Sequence, residues 1–190
     1  MKLFLVRHGQ TEENVAGILM GQNHGVLTEK GEDQAKETAA ALKDHKFTHI
    51  YSSDLNRCAD TTQIIKEFHP DTPLTFTKEL RERNLGIYQG QPNKSVDWEA
   101  LPGEGEDKRP ENGESVSELN KRALNFIKEL HVQHPQDSIL LVSHNGWIAN
   151  VISYFIGVPS KEMLNKVAHA QVFEIDVDED LNGKVLNLNQ

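Results

Sequence analysis

The sequence predicts a single three-layer α/β/α domain, a mostly parallel central sheet flanked by helices. Two observations predict it. Apolar runs of strand length alternate along the chain with stretches that carry apolar residues at helical spacing. No repeat or linker-like stretch divides residues 1–190, a length that suits one domain with a sizeable core.

Lys2 to Val6 reads as a buried strand whose carboxyl end delivers Arg7 and His8 before Gly9. After Asn14 comes a glycine-spaced loop from Gly17 to Gly25. Thr28 then offers an N-cap for a helix carrying Ala35, Ala39, Ala41 and Leu42, with Gly31 as a weak point near its start. Phe47 to Ser52 reads as a second strand. Ser53 caps a helix with Leu55, Cys58, Thr62, Ile65 and Phe68 at helical spacing, which Pro70 and Pro73 end. Leu74 to Phe76 is a third short strand. From Leu80 to Asn112 no periodicity survives; the segment reads as a long loop with one helical turn around Trp98, of a length that is usually functional or disordered. Ser115 and Glu118 form a capping box for a helix through Leu119, Ala123, Phe126, Ile127 and Leu130. Ser138 to Val142 is another buried strand, ending at Ser143-His144-Asn145-Gly146, and a helix runs from Trp147 to Ile156. Gln171 to Val177 alternates as a late strand, and Lys184 to Leu188 pairs with it through an Asn182-Gly183 turn.

Composition narrows the function. Acidic residues outnumber basic ones, 29 to 20, and the net charge of −9 opposes binding to nucleic acid or an anionic membrane. A small anionic substrate remains compatible, because local arginines dominate inside a cleft. The single cysteine, Cys58, precludes an intrachain disulfide and fits a reducing compartment. With no apolar run of spanning length and no signal-peptide shape at Met1-Lys2, the expected location is the cytoplasm.

If the strands that end at His8, Ser53 and His144 are neighbours, Arg7, His8, Arg57 and His144 converge. Such side chains repel one another in an empty, dry pocket and are stable together around a phosphate that accepts guanidinium forks. Zinc would favour histidines without adjacent arginines. Ligands of open α/β sheets gather beyond these strand ends.

Arg7-His8-Gly9-Gln10-Thr11-x-x-Asn14, Ser53-Asp54-Leu55-x-Arg57, Leu80-Arg81-Glu82 with Gly86 and Gly90, and Ser143-His144-x-Gly146 stand in the order found in the histidine phosphatase superfamily, which includes the cofactor-dependent phosphoglycerate mutases. The chain resembles that family over nearly its whole length. The resemblance implies a phosphoglycerate mutase-like fold and metal-independent chemistry with no cofactor. It makes His8 the nucleophile that forms a phosphohistidine, a role needing the neutral ring that nearby Arg7 and Arg57 favour. Arg7, Arg57 and His144 would hold the phosphoryl group, with Asn14 and Gln22 as accessory contacts. Glu82 would protonate the leaving alcohol and then activate water; for that it must hold a proton when needed, which burial or the phosphate's charge favours. Arg83 resembles the arginine that helps the mutases hold a substrate carboxylate. Asn145 stands where relatives commonly carry a second glycine or another small residue; its backbone amide still suits phosphate, and its side chain narrows or polarises the site. Cys58 stands for a commoner alanine and reads as packing.

Other groups have plainer readings. His131 and His134 share a helix face without a third metal ligand and read as surface residues, as His45 and His49 read as solvated. Asp176 to Asp180 resembles the start of a calcium loop but lacks its glycine and closing glutamate, so it reads as a turn. Trp98 and Trp147 fit either core or pocket wall; Lys108 and Arg109 either meet a second anionic group or are solvated. Three functions follow: a phosphatase of a small phosphorylated metabolite, a phosphoglycerate mutase-type transferase, and a non-catalytic phospholigand binder. The segment from Gln91 to Asn112 is shorter than the insertion usual in the mutases, and a shorter roof admits water; this favours the phosphatase. A mere binder has no use for Glu82 beside His8.

Overall fold

In the computed structural model, which describes residues 1–186, six strands form one sheet in the order β3-β2-β4-β1-β5-β6. They are β1 (Lys2–Arg7), β2 (His49–Ser53), β3 (Leu74–Thr77), β4 (Ser138–Ser143), β5 (Val172–Val177) and β6 (Gly183–Val185). β1, β4, β2 and β3 pair in parallel, and β5 and β6 close one side as antiparallel strands. The helices are α1 (Glu12–Ala16), α2 (Glu29–Leu42), α3 (Asn56–Lys66), α4 (Val116–Gln133) and α5 (Asn145–Ile156). No helix among the described residues is long and apolar enough to cross a membrane.

The side-chain period of two makes the layers. Phe4 and Val6 of β1, with Leu140 and Val142 of β4, pack against Ala39 and Leu42 of α2 and Cys58 and Ile65 of α3. Leu3 and Leu5, with Ile139 and Leu141, meet Leu119 and Ile127 of α4 and Trp147 and Ile148 of α5 on the other face. Trp147 is therefore core, whereas Trp98 is half-buried and donates to Asn93 Oδ1 at 3.3 Å. The N-caps Thr28 and Ser115 hold as the sequence predicts, the latter in a full capping box. Gly31, a weak point by propensity, has a tertiary reason. A Cβ there would lie 2.0 Å from Gln10 O, and one on Gly9 would lie 2.2 Å from Gly31 O. The end of β1 and the start of α2 touch backbone to backbone.

Several boundaries differ from the sequence reading. α3 begins at Asn56, and Leu55 occupies its N-cap position without a side-chain bond; the Ser53 hydroxyl, freed from capping, is used by the site. Phe68 lies beyond the end of α3 and is exposed, and Ala41 faces solvent. β5 and β6 are joined by residues 178–182 rather than by a two-residue turn. There the Asp178 carboxylate accepts the amides of Asp180 and Asn182, a solvated turn as expected. The end of the predicted strand to Leu188 lies outside the described residues. The roof has 3₁₀ turns at Gly86–Tyr88, Asn93–Ser95 and Gly105–Asp107, and none at Trp98. Its backbone is stitched to the Gly17–Gly25 loop through Leu19 N to Gln91 O, Gly90 N to Leu19 O and Asn93 N to Gly17 O. His134 is not a free surface group: its ring bridges Asp137 Oδ2 at 2.8 Å and Tyr51 Oη at 3.0 Å. His49 stacks on Tyr51 and bonds Thr75 Oγ1, while His45 is exposed.

Gly31→Ala should lower stability by about 2 kcal/mol or more in urea unfolding, although alanine ordinarily favours a helix by about 1 kcal/mol. An unchanged or raised midpoint would show that the β1–α2 approach can relax without cost.

Candidate active site

β4 lies between β1 and β2, so the carboxyl ends of all three sit side by side, with Arg7 paired to Ser143. His8 follows directly and is 3% exposed. Its Nδ1 lies 2.7 Å from Gly9 O, and a carbonyl can only accept, so Nδ1 carries the proton and Nε2 the lone pair. Gly9 N in turn donates to Thr61 Oγ1 on α3, which anchors the residue whose carbonyl orients the ring. Burial first, then Arg57 and Arg7, hold the His8 pKa well below the ordinary imidazole value.

Arg57 is buried and Arg7 half-buried, and both lie against main-chain carbonyls. Arg57 donates from Nη1 to Asn23 O at 2.7 Å and from Nη2 to Gly21 O at 2.8 Å. Arg7 donates from Nη1 to Val167 O at 2.6 Å, while its buried Nε has no partner. Burial lowers the Arg7 pKa to about 10, with Glu82 opposing and Arg57 adding to the drop. An orphaned buried guanidinium N–H is a demand for an acceptor.

His144 is fully buried, its ring centroid 5.3 Å from that of His8. Arg57 Nε donates to its Nδ1 at 3.2 Å, so Nε2 bears the proton and gives it to Ser53 Oγ at 2.8 Å. Burial, with Arg57 next, keeps this ring neutral too. Cys58 packs beneath it, Sγ 3.4 Å from His144 Nε2, and bonds Ser143 O; burial pushes its thiol pKa up. With both nitrogens engaged, His144 backs His8 and aims Arg57.

Glu82 enters from the roof. Its Oε2 accepts Gly146 N at 3.0 Å and its Oε1 accepts Arg83 N at 2.9 Å. Any side chain at 146 would collide with it, a Cβ there lying 2.4 Å from Oε1. The segment that carries Glu82 has little regular structure and is held by donors from distant elements. Trp147 Nε1 bonds Glu79 O, Ser143 Oγ bonds Leu80 O, and Arg122 Nη1 bonds Glu79 O and Arg81 O. Arg81 forms a two-point salt bridge with Asp54, both contacts 2.6 Å.

Arg7, His8, Asn14, Arg57, Glu82, Arg83 and Asn145 line one cavity of about 380 Å³. Asn14 Oδ1 accepts Thr11 N in the cap of α1, which leaves its amide nitrogen as the donor. Gln22 stands behind the cavity wall. Its Nε2 donates to Glu82 O and its Oε1 accepts Arg81 Nη1, so its amide supports the segment that carries Glu82. Arg83 spends Nε on Glu114 O and Nη2 on Lys108 O. Lys108 and Arg109 are paired with Glu99 and Glu118. Three guanidiniums against one carboxylate make the lining an anion site, and among the described residues no three His, Cys, Asp or Glu side chains gather as a metal would need.

The profile of the histidine phosphatase superfamily (branch 1) matches residues 3–189. The chain belongs to the histidine phosphatase superfamily. This superfamily member is 33% identical to a probable phosphoglycerate mutase, GpmB, of Escherichia coli, across 95% of this chain and 87% of the relative. Its fold matches the alpha-ribazole phosphatase of Shigella flexneri at TM-score 0.86 and 26% identity, over 100% of this chain and 96% of that one. It matches a mycobacterial glucosyl-3-phosphoglycerate phosphatase at TM-score 0.82 and 27% identity, over 97% and 96% of the two chains.

The sequence of this superfamily member carries no functional signal at Thr61, Arg122 or His169, and Ser53 reads there only as a helix cap. Ser53 and Asp54 stand in one family motif and Arg81 in another. Arg122 and His169 had no local signal. The His169 ring packs 5.7 Å from that of His8, and burial with Arg7 lowers its pKa to about 4.

His8, His144 and His169 all have folded pKa values below the unfolded value of about 6.5. Below that pH the unfolded chain binds more protons, so stability rises with pH across this window and is lost as pH falls from about 6.5 toward about 4. Urea midpoints should drop through that range with proton uptake on unfolding; a flat profile would contradict three neutral imidazoles.

Proposed function

We propose that the protein is a metal-independent phosphatase that hydrolyses a small phosphorylated metabolite through a phosphohistidine on His8. The observation that carries this reading is the neutral, tautomer-fixed His8 ring beside a buried Arg7 Nε that lacks an acceptor. A phosphoryl oxygen supplies that acceptor, and Asn14 Nδ2, the Asn145 backbone amide and Arg57 complete the cradle. His8 Nε2 attacks phosphorus, the bond from phosphorus to the ester oxygen breaks, and protonated Glu82 gives its proton to the departing alcohol. Glu82 then takes a proton from water as the water attacks phosphorus, the P–N bond breaks, and inorganic phosphate leaves. His144 acts through Arg57 and the His8 ring. The substrate is the only partner the charge balance calls for, and the lone, buried Cys58 suits a cytoplasmic protein.

The ties on Lys108 and Arg109, and the two carbonyls that take Arg83 Nε and Nη2, favour hydrolysis over mutase-type transfer, because they leave a substrate carboxylate few donors beyond Arg83 Nη1. The name of the Escherichia coli relative favours the transfer reading, and phosphoglycerate with and without a bisphosphate primer separates the two: isomerisation that needs primer and frees little phosphate would reverse the choice.

Two expected outcomes test the chemistry. Turnover of an aryl phosphate should survive chelator, and label from a radiolabelled substrate should be trapped on the protein as an acid-labile adduct, absent in His8→Ala. Strict metal dependence, or unchanged turnover in that variant, overturns the mechanism. Glu82→Gln should slow alkyl phosphates by about 10²- to 10⁴-fold and nitrophenyl phosphate far less, since that leaving group departs without a proton.

A further inference from the structure

A second cavity, of about 190 Å³, lies on the far side of α5, between α4, the 3₁₀ turn at Gly105–Asp107 and the turn at Ser160. Two of its lining side chains are more than nine-tenths buried and have unpartnered oxygens. Asn150 is 5% exposed and Ser153 4%, and neither Asn150 Oδ1 nor Ser153 Oγ has a hydrogen-bond partner. One N–H of the Asn150 amide donates to Gly146 O at 2.7 Å, which fixes which end is the nitrogen and leaves Oδ1 as an unpartnered acceptor. Glu106, on the same lining, accepts only long bonds, 3.4 Å from Ser160 Oγ and 3.3 Å from Asn120 Nδ2, and has no ion-pair partner among the described residues. Because Asn120 donates there, its own Oδ1 also remains as an acceptor. The remaining bonding capacity of this cavity is thus mostly acceptors with one uncompensated negative charge, and its complement is a cation rich in donors.

The other walls select the kind of cation. Leu124, Val158 and the Tyr154 ring line the same space, surface of no use to a bare ion. The volume also exceeds one water, which occupies roughly 30 Å³. We propose that this cavity is a binding site for a small primary alkylammonium, its nitrogen among Glu106, Asn150 and Ser153 and its short alkyl chain against the apolar wall. The site is separate from the phosphoryl cavity. It reaches that cavity at one point, because Asn150 bonds the carbonyl of Gly146, whose N–H holds Glu82.

Thermal-shift and calorimetric titrations of the intact protein with propylamine, ammonium and potassium at matched ionic strength test this. Propylamine should bind saturably and raise Tm, ammonium more weakly, and potassium not at all. Glu106→Gln should weaken propylamine binding at least tenfold while leaving aryl phosphate turnover unchanged, and Ser153→Ala, which keeps the helix, at least threefold. No saturable amine binding (water alone filling the cavity), potassium binding as well as propylamine, or wild-type affinity in both variants would each overturn the proposal. These readouts do not use the phosphatase reaction, so they stand whether or not the proposed function does.

Discussion

Burying two guanidiniums beside two imidazoles is the constraint to which the rest of the site is fitted. Desolvation is the largest influence on Arg7, Arg57, His8 and His144 alike, and each cation works against its neighbours. The fold keeps them together by two means. Carbonyl oxygens of Gly21, Asn23 and Val167 absorb the arginine donors without adding a carboxylate that would neutralise them. The imidazoles stay neutral, each with its tautomer dictated by a partner of one kind: a carbonyl that only accepts for His8, a guanidinium that only donates for His144. The outcome is a positive cavity held in advance by backbone, the arrangement in which charge developing on a bound group is stabilised without reorganisation.

Glu82 is positioned by a different device. A carboxylate on an irregular segment would ordinarily wander, yet this one is fixed because the carbonyls before it are gripped from both sides of the chain. Trp147 and Ser143 reach up from the core, and Arg122 reaches across from α4 with its own fork locked on Glu114 at 3.0 Å. Such outer contacts decide how tightly a reacting group is held. The bare α-carbon of Gly146 then lets the carboxylate sit against the start of α5, where an amide meets it.

What could be read from the sequence is what depends on near neighbours. The alternation of Leu3 and Leu5 with Phe4 and Val6 reports two cores, and the capping box at Ser115 and Glu118 reports a helix start, because both are short-range. Thr28 and Ser53 show where this ends. Each is a hydroxyl ahead of a helix, but Thr28 faces Gly31 N and caps, whereas Ser53 is claimed by His144, 91 residues away. Gln22 likewise stands in a loop near the phosphate motif, and only its bonds to Glu82 and Arg81, about sixty residues on, reveal that it supports the acid. The roof was illegible because its order comes from backbone bonds to another loop, which leave no periodic trace.

The roof's own charges complete the division of labour. Lys108 and Arg109, which in the sequence fit either a second anionic group or solvent, are each matched by a carboxylate within the roof or on α4. The potential in the cavity is therefore set by Arg7, Arg57 and Arg83, while Ile18, Leu19, Leu85 and Leu164 contribute apolar surface to its lining. In the proposed reaction, recognition of the phosphoryl group would be electrostatic, and recognition of whatever the phosphate is attached to would fall to a wall of weak, exchangeable apolar contacts. On that reading, changes in the apolar wall would retune the leaving group while the charges stay in place, because the arginines are held by carbonyls of Gly21, Asn23, Val167, Glu114 and Lys108 rather than by the wall.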